Sequence, residues 1–237
     1  MKENARKGAA MPNYSVLLFD LDDTLLDFRA NEACALPALF ALHGYHFTVP
    51  IAQVYHSINN HLWSSYERGL LPLRDVLDVR FARTMAHFGV EIDGAAWEAE
   101  YRHLLSLGHQ KMEGALEICQ TLCKTHRLFI VTNGVTGTQE RRLREAGLFD
   151  FFEDIFYSEL IGHQKPARAF FEYVAAHIPG FDAQRALLIG NSPATDILGG
   201  LNFGIDTCLY SPSGAPAPAE VPATYTIRSL YELPALC

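Results

Sequence analysis

Clustered positive charge is missing from this chain. Its 237 residues hold 19 Lys and Arg against 27 Asp and Glu, a formal charge of −8, and no run gathers the basic residues. Polymeric nucleic acid is held mainly through its phosphates by clustered cations, so DNA and RNA are not expected as partners. Long apolar runs are missing too: nothing approaches the roughly 20 residues a membrane span requires. The opening MKENARKGAAMPN has charges but no apolar stretch, so residues 1–13 are expected to form a disordered tail rather than a secretory signal. The five cysteines, Cys34, Cys119, Cys123, Cys208 and Cys237, are odd in number and scattered. That usage points to reduced thiols and a cytoplasmic setting. Cys119 and Cys123, four apart on an apolar segment, read as buried thiols on one helix face. No internal repeat is visible. None of the histidines sits in an HExxH pair, although seven of the ten fall between His43 and His109.

What is present is an ordinary globular composition, with 49% hydrophobic and 19% charged residues. The run Tyr14 to Phe19 is short, continuously apolar and ends in acids, as suits a strand buried on both faces of a parallel sheet. Residues 29–109 lack a strand signal and read as four helices, near 30–43, 51–67, 73–88 and 95–107, broken at Gly44, Pro50, Gly69, Pro72, Gly89 and Gly94. From 110 onward strands and helices alternate in the manner of βαβ units. Strands are expected at 128–132, 154–158, 186–190, 206–210 and 224–227, with helices at 114–124, 138–146, 167–177 and 195–203. The fold class is therefore α/β, a Rossmann-like parallel sheet core formed by 14–28 and 110–237 and interrupted by an inserted four-helix cap at 29–109.

Ligands of open α/β sheets bind beyond the carboxyl ends of the strands, and four polar constellations are expected there. The first is DLDDTLLD from Asp20 to Asp27. Its crowded carboxylates call for something positive. Asp20 and Asp22, two apart, can lie on the same side of an extended segment as nucleophile and acid/base. A helix cap by Asp22 or Asp23 would account for the same residues. The second is FIVTNG, in which Thr132, Asn133 and Gly134 form either an anion cradle or a plain Asn-Gly turn. The third is Lys165, followed by Pro166 as a helix start signal, whose ammonium can reach over the strand ends or remain solvated. The fourth is LLIGNSPATDILGG, where Asn191 and Asp196 offer oxygens to a hard cation such as Mg²⁺, with a capping Asp as the alternative.

Taken together, these four segments resemble the motifs of the haloacid dehalogenase-like superfamily: DxDxT, a strand ending in Thr or Ser, a lone Lys and a terminal acidic pair. LLFDLDDTLLDF, NNHLWSSYERG and GLFDFFEDIFYSE further resemble the YjjG-like pyrimidine 5′-nucleotidase subgroup. The resemblance implies that Asp20 attacks phosphorus to form an aspartyl-phosphate, and that Asp22 protonates the leaving alkoxide and then activates water. It implies that Thr132, Asn133, Gly134 and Lys165 hold the phosphoryl group. It further implies that Asp20, the Asp22 carbonyl, Asn191 and Asp196 hold Mg²⁺. Asn191 departs from the family pattern, which has an acid at that place. The implied substrate is a small phosphate ester, a nucleoside 5′-monophosphate above all, handled by a monomer or homodimer. Sugar-phosphate or phosphoglycolate-type hydrolysis, dehalogenation, phosphoryl return to substrate by a mutase and non-catalytic binding are the competing readings. Phe28, Trp63 and Tyr66 are candidates to stack a base, or else to pack the core.

Overall fold

The computed structural model describes residues 14–237, so the tail expected at 1–13 lies outside the described residues. Strand β1 (Val16–Phe19) is followed by four consecutive helices, α1 (Phe28–Leu42), α2 (Val49–Glu67), α3 (Leu73–His87) and α4 (Gly94–Leu107). Helix α5 (Ala115–Leu122), β2 (Arg127–Thr132), α6 (Thr136–Glu145), β3 (Asp154–Tyr157), α7 (Ser158–Ile161), α8 (Arg168–His177) and β4 (Ala186–Gly190) come next. Helix α9 (Leu198–Phe203), β5 (Asp206–Tyr210) and β6 (Tyr225–Ile227) complete the order. The six strands form one sheet in the order β3-β2-β1-β4-β5-β6, and every neighbouring pair is parallel. The chain runs outward from β1 to β2 and β3, then returns to β4 on the other side. That reversal opens a crevice at the carboxyl ends of β1, β2 and β4.

Side-chain alternation explains why the central strands are continuously apolar. Val16 and Leu18 of β1 and Ala186 and Leu188 of β4 enter one apolar layer with Phe170, Phe171 and Val174 of α8. Leu17 and Phe19, with Leu187 and Ile189, enter the opposite layer against Ile118, Cys119 and Leu122 of α5. Both faces are covered, as a parallel sheet requires.

The four helices after β1 carry their own core, in which Leu36, Leu39, Phe40, Tyr55, Phe81 and Tyr101 are all buried. Asp27 and Asp93 start α1 and α4 by accepting from the backbone N–H groups of Ala30 and Ala96. The connections turn at Gly44, Gly69 and Gly89, whose φ angles of 76°, 71° and 75° are open to glycine. A buried ion pair joins α3 to α4, with Arg80 donating twice to Glu98 at 2.7 Å. Hydrogen bonds tie this bundle to the helices and loops beside the sheet at two places. At one, the Tyr66 and Ser158 hydroxyls share a hydrogen bond of 2.9 Å, and Gln164 Nε2 donates to the Tyr66 carbonyl at 2.7 Å. At the other, Arg142 Nε on α6 donates to the Gly108 carbonyl at 3.0 Å.

Several local expectations change. Pro50 sits in the first turn of α2 rather than before it, where its missing N–H costs nothing. The Pro166 position lies ahead of α8, which starts at Arg168. The helix expected over 195–203 divides into a π-helical turn, Pro193–Ile197, and α9. Cys119 is buried but Cys123 is exposed, so the two thiols do not share a buried face; all five cysteines are free. Among the described residues no helix is long and apolar enough to cross a membrane.

Candidate active site

The acidic segment leaves β1 directly over the crevice. Asp20 N donates to the Ile189 carbonyl at 2.8 Å, extending the β1–β4 ladder by one residue and fixing the Asp20 side chain at the strand end. Leu21, Leu25 and Leu26 are fully buried and anchor the loop beneath it. Asp23 adopts φ 58°, the left-handed region that Asp tolerates better than most residues. The turn this makes separates the carboxylates. Thr24 Oγ1 donates to Asp20 Oδ2 at 2.9 Å, and Lys165 Nζ donates to Asp20 Oδ1 at 2.7 Å. The Asp22 carboxylate points to α6, taking Gln139 Nε2 at 2.6 Å and Arg142 Nη1 at 2.5 Å. Asp23 accepts from the backbone N–H groups of Phe28 and Arg29 and pairs with Arg29 Nε at 3.1 Å. Each of the three crowded acids thus faces a different basic side chain, Lys165, Arg142 or Arg29. The repulsion that called for a positive partner is relieved by side chains of the protein itself.

Lys165 is 1% exposed and lies between two carboxylates, with Asp196 Oδ1 also at 2.7 Å from its Nζ. Burial pulls the ammonium toward losing its proton, but the charges and hydrogen bonds of Asp196 and Asp20 outweigh that and raise its pKa above the ordinary lysine value. Burial likewise pushes the Asp20 carboxyl up to about 7; Lys165 pulls it down and Asp196 pushes it further up. Asp196 is fully buried in the π-helical turn and accepts from the Ser192 backbone N–H at 3.0 Å. A Cβ on Gly190 would lie 2.2 Å from Asp196 Oδ2, so this carboxylate can seat only against a glycine.

Thr132 ends β2 and is 2% exposed, its Oγ1 accepting from the Gly134 N–H at 3.1 Å. Asn133 behaves differently from a cradle residue. Its Nδ2 donates to the Lys165 carbonyl at 2.9 Å, and its Oδ1 accepts from the Lys165 N–H at 2.8 Å. With the amide committed to clipping the Lys165 loop, Asn133 has only its backbone to offer an anion. Gly134 is fixed by close approach, since a Cβ there would meet Gln139 Nε2 at 1.8 Å. Asn191 lines the crevice, and its side chain has no hydrogen-bond partner among the described residues.

These residues border one cavity of about 270 Å³ between the sheet and the helical insert, near the small end of ligand clefts and suited to a small molecule rather than a polymer. Asp20, Asp22, Thr132, Asn133, Gly134 and Lys165 all line it. Asp196 lies beneath them, bonded to Lys165. Phe28 and Trp63 also reach the cavity, whereas Tyr66 is buried beside it with its hydroxyl on Ser158. Among the described residues no cluster of three or more His, Cys, Asp or Glu has metal-holding geometry. The available oxygens are therefore two carboxylates, Asp20 and Asp196, the Asn191 amide and main-chain carbonyls. These are hard donors, and two carboxylates against the one ammonium of Lys165 leave a negative balance that fits a divalent cation.

Thr24 belongs to the DxDxT pattern but had no role assigned from it, and Gln139, Arg142 and Glu67 lie outside the four motifs. Gln139 and Arg142 lie three apart on α6 and so share a face with buried Leu143, a spacing that could have marked them. Glu67 ends α2 at the cavity, its carboxyl pushed up to about 7 by burial, with Lys165 lowering and Asp196 raising it.

The family model of haloacid dehalogenase-like hydrolases matches residues 14–204. HAD-hydrolase YfnB of Bacillus subtilis is 45% identical over 223 residues, covering 94% of this chain and 95% of that one. The pyrimidine 5′-nucleotidase PynA of Streptococcus pneumoniae is 36% identical, with 93% of each chain covered. The pyrimidine 5′-nucleotidase YjjG of Escherichia coli is 30% identical, covering 92% of this chain and 95% of that one. A magnesium-bound crystal structure of YfnB, described as revealing interdomain movement, superposes with a TM-score of 0.89 and covers 94% of this chain and 99% of that one.

Proposed function

We propose, for a chain that belongs to the haloacid dehalogenase-like hydrolase family, that it is a phosphatase of small phosphate monoesters, nucleoside 5′-monophosphates foremost, working through an aspartyl-phosphate on Asp20. The observation that carries this reading is the pairing of two acids in one cavity with different partners: Asp20 held by Thr24 and Lys165, and Asp22 held by Gln139 and Arg142. A dehalogenase needs only the first of them, because a halide leaves without a proton. The nucleotide preference is supported by the similarity to PynA and YjjG.

In this reading Asp20 attacks phosphorus in line with the ester oxygen. Lys165 and the Thr132 hydroxyl, with the N–H groups after β2, hold the phosphoryl oxygens where negative charge develops. Asp22 supplies the proton to the leaving oxygen, then removes one from the water that hydrolyses the acyl-phosphate. To do so it exchanges one of its α6 partners for the substrate, since both its oxygens are engaged. Asp20, Asp196, Asn191 and the Asp22 carbonyl would hold Mg²⁺, which supplies charge neutralisation for the transferring group. The Asn191 amide in place of an acid weakens that hold. Residues 29–109 act as a cap over a core of 14–28 and 110–237 and exclude water when closed, in keeping with the interdomain movement described for YfnB.

The test is phosphate release from p-nitrophenyl phosphate and from a panel of nucleotides and sugar phosphates, with and without Mg²⁺. Mg²⁺-dependent release, highest on pyrimidine nucleotides and lost in Asp20→Asn, is expected. Halide release from haloacids, with no phosphate release from any ester, would overturn the reading.

A further inference from the structure

One face of α2 carries Asn59, Trp63 and Glu67, spaced four apart, and all three border the cavity. Glu67 lies at the inner end, close enough to Lys165 and Asp196 to feel both charges. Asn59 lies two turns away, about 12 Å along the helix axis at 1.5 Å per residue. A phosphate held at Lys165 therefore leaves its ester group running along this face, past the indole of Trp63 toward Asn59.

The orientation of the Asn59 amide is settled by its neighbour. Arg80 Nη1 lies 3.0 Å from the amide of Asn59, and a guanidinium only donates, so the facing atom is Oδ1. Arg80 is itself fixed. It is 4% exposed, bound to Glu98 by two hydrogen bonds of 2.7 Å, and lies 4.8 Å from the Tyr101 ring centroid. Asn59 is 9% exposed, and its Nδ2 has no partner among the described residues. The result is a rigid amide with its acceptor committed inward and a donor left at the cavity wall. Arg102 also borders the cavity, but its Nε is turned to Glu98, 3.7 Å from Oε1.

We infer that Asn59 is a specificity-determining residue whose amide nitrogen donates to a ring carbonyl of the leaving group, the C2 carbonyl shared by the pyrimidine bases, while Trp63 packs on the ring. Arg80 is the positioning residue that fixes the amide. This inference rests on the nucleotide reading proposed above. A sugar hydroxyl both donates and accepts and would be served by either end of an amide. A ring carbonyl accepts only, and it is the group for which fixing the donor outward matters. A polar group built to meet such an oxygen discriminates against ligands lacking it, because it is otherwise left unpaired.

The experiment compares kcat/KM for uridine 5′-monophosphate and ribose 5-phosphate in the wild type, Asn59→Asp and Asn59→Ala, with Mg²⁺ and thermal unfolding of each variant. Asn59→Asp keeps an oxygen for Arg80 but replaces the outward donor with an acceptor. The ratio of the two kcat/KM values is expected to fall about tenfold to a hundredfold in Asn59→Asp, mainly through KM for the nucleotide, with the thermal midpoint retained. If the wild type prefers the nucleotide and Asn59→Asp keeps that preference, the role of Asn59 is overturned alone. Equal losses on both substrates in Asn59→Asp assign a structural role and overturn it too. A wild type that prefers ribose 5-phosphate overturns the nucleotide reading and this inference with it.

Discussion

The guanidinium of Arg142, 1% exposed on α6, holds Asp22 at 2.5 Å while its Nε is bound to the carbonyl of Gly108 at the end of the helical insert. One side chain thus touches both the proposed acid/base and the end of the proposed cap. Arg142→Ala is expected to lower kcat by about tenfold to a hundredfold with a smaller change in KM, the size of a displaced proton donor. Arg142→Lys, which keeps charge but not the fork, should recover part of the loss. Steady-state kinetics on a nucleotide give the split.

Leaving-group chemistry separates the two acids. Asp22→Asn is expected to slow alkyl phosphate hydrolysis more than aryl phosphate hydrolysis, because an aryloxide departs with little help from a proton. Comparing kcat/KM for p-nitrophenyl phosphate and a nucleoside monophosphate in the variant tests this. Equal losses would contradict a role for Asp22 as acid.

Lys165 bridges two buried carboxylates and offsets their mutual repulsion. Lys165→Met leaves Asp20 and Asp196 facing each other without a cation, a change expected to cost about 3–5 kcal/mol at about pH 9, where both are ionised. The cost should shrink as pH falls toward about 7, because the Asp20 carboxyl, already raised to about 7 beside Lys165, takes up a proton more readily without it and the repulsion is relieved. Urea unfolding at several pH values, with divalent cations chelated, measures it.

Much of this arrangement was legible in the sequence because it is local. β1 and β4 announce themselves as continuous apolar runs, and Asp20, Thr132 and Asp196 lie at or after the ends of strands whose bounds fall within two residues of expectation. The partners of those residues were not legible. Arg142 reads as one charge in a charged helix, and only the packing of α6 against the acidic loop turns it toward Asp22, 120 positions away. Asn133 reads as a turn residue, and its clip on the Lys165 backbone depends on two loops that meet only in the folded sheet. The acid cluster was legible as a demand for positive charge, but besides nearby Arg29 it is met by Arg142 and Lys165, 120 and 145 positions from their partners, which composition alone does not reveal.

Glu67 gives stability a pH dependence of known sign. Its carboxyl, pushed up to about 7 chiefly by burial, binds a proton more tightly in the folded chain than in the unfolded one. Its contribution is therefore most favourable below the unfolded value near 4.3 and is lost as pH rises through 7. Glu67→Gln is expected to stabilise the metal-free protein by about 1–2 kcal/mol near pH 8, a figure discounted for partial solvent screening, and by less toward about pH 5. Thermal unfolding in the presence of chelator reads the difference.

Restoring an acid at Asn191 should strengthen cation binding. Asn191→Asp adds a negative charge beside Asp20 and Asp196, and the Mg²⁺ concentration for half activity is expected to fall about tenfold. An unchanged Mg²⁺ requirement would separate Asn191 from the cation.

The covalent role of Asp20 is tested most directly by acid-quenching the enzyme during turnover of a nucleoside monophosphate with Mg²⁺ and mapping phosphorylated peptides by mass spectrometry. The expected result is a phosphoryl group on Asp20 in the wild type and none in an inactive Asp20→Asn. Phosphate release that survives Asp20→Asn, or a phosphoryl group on another residue, would contradict it.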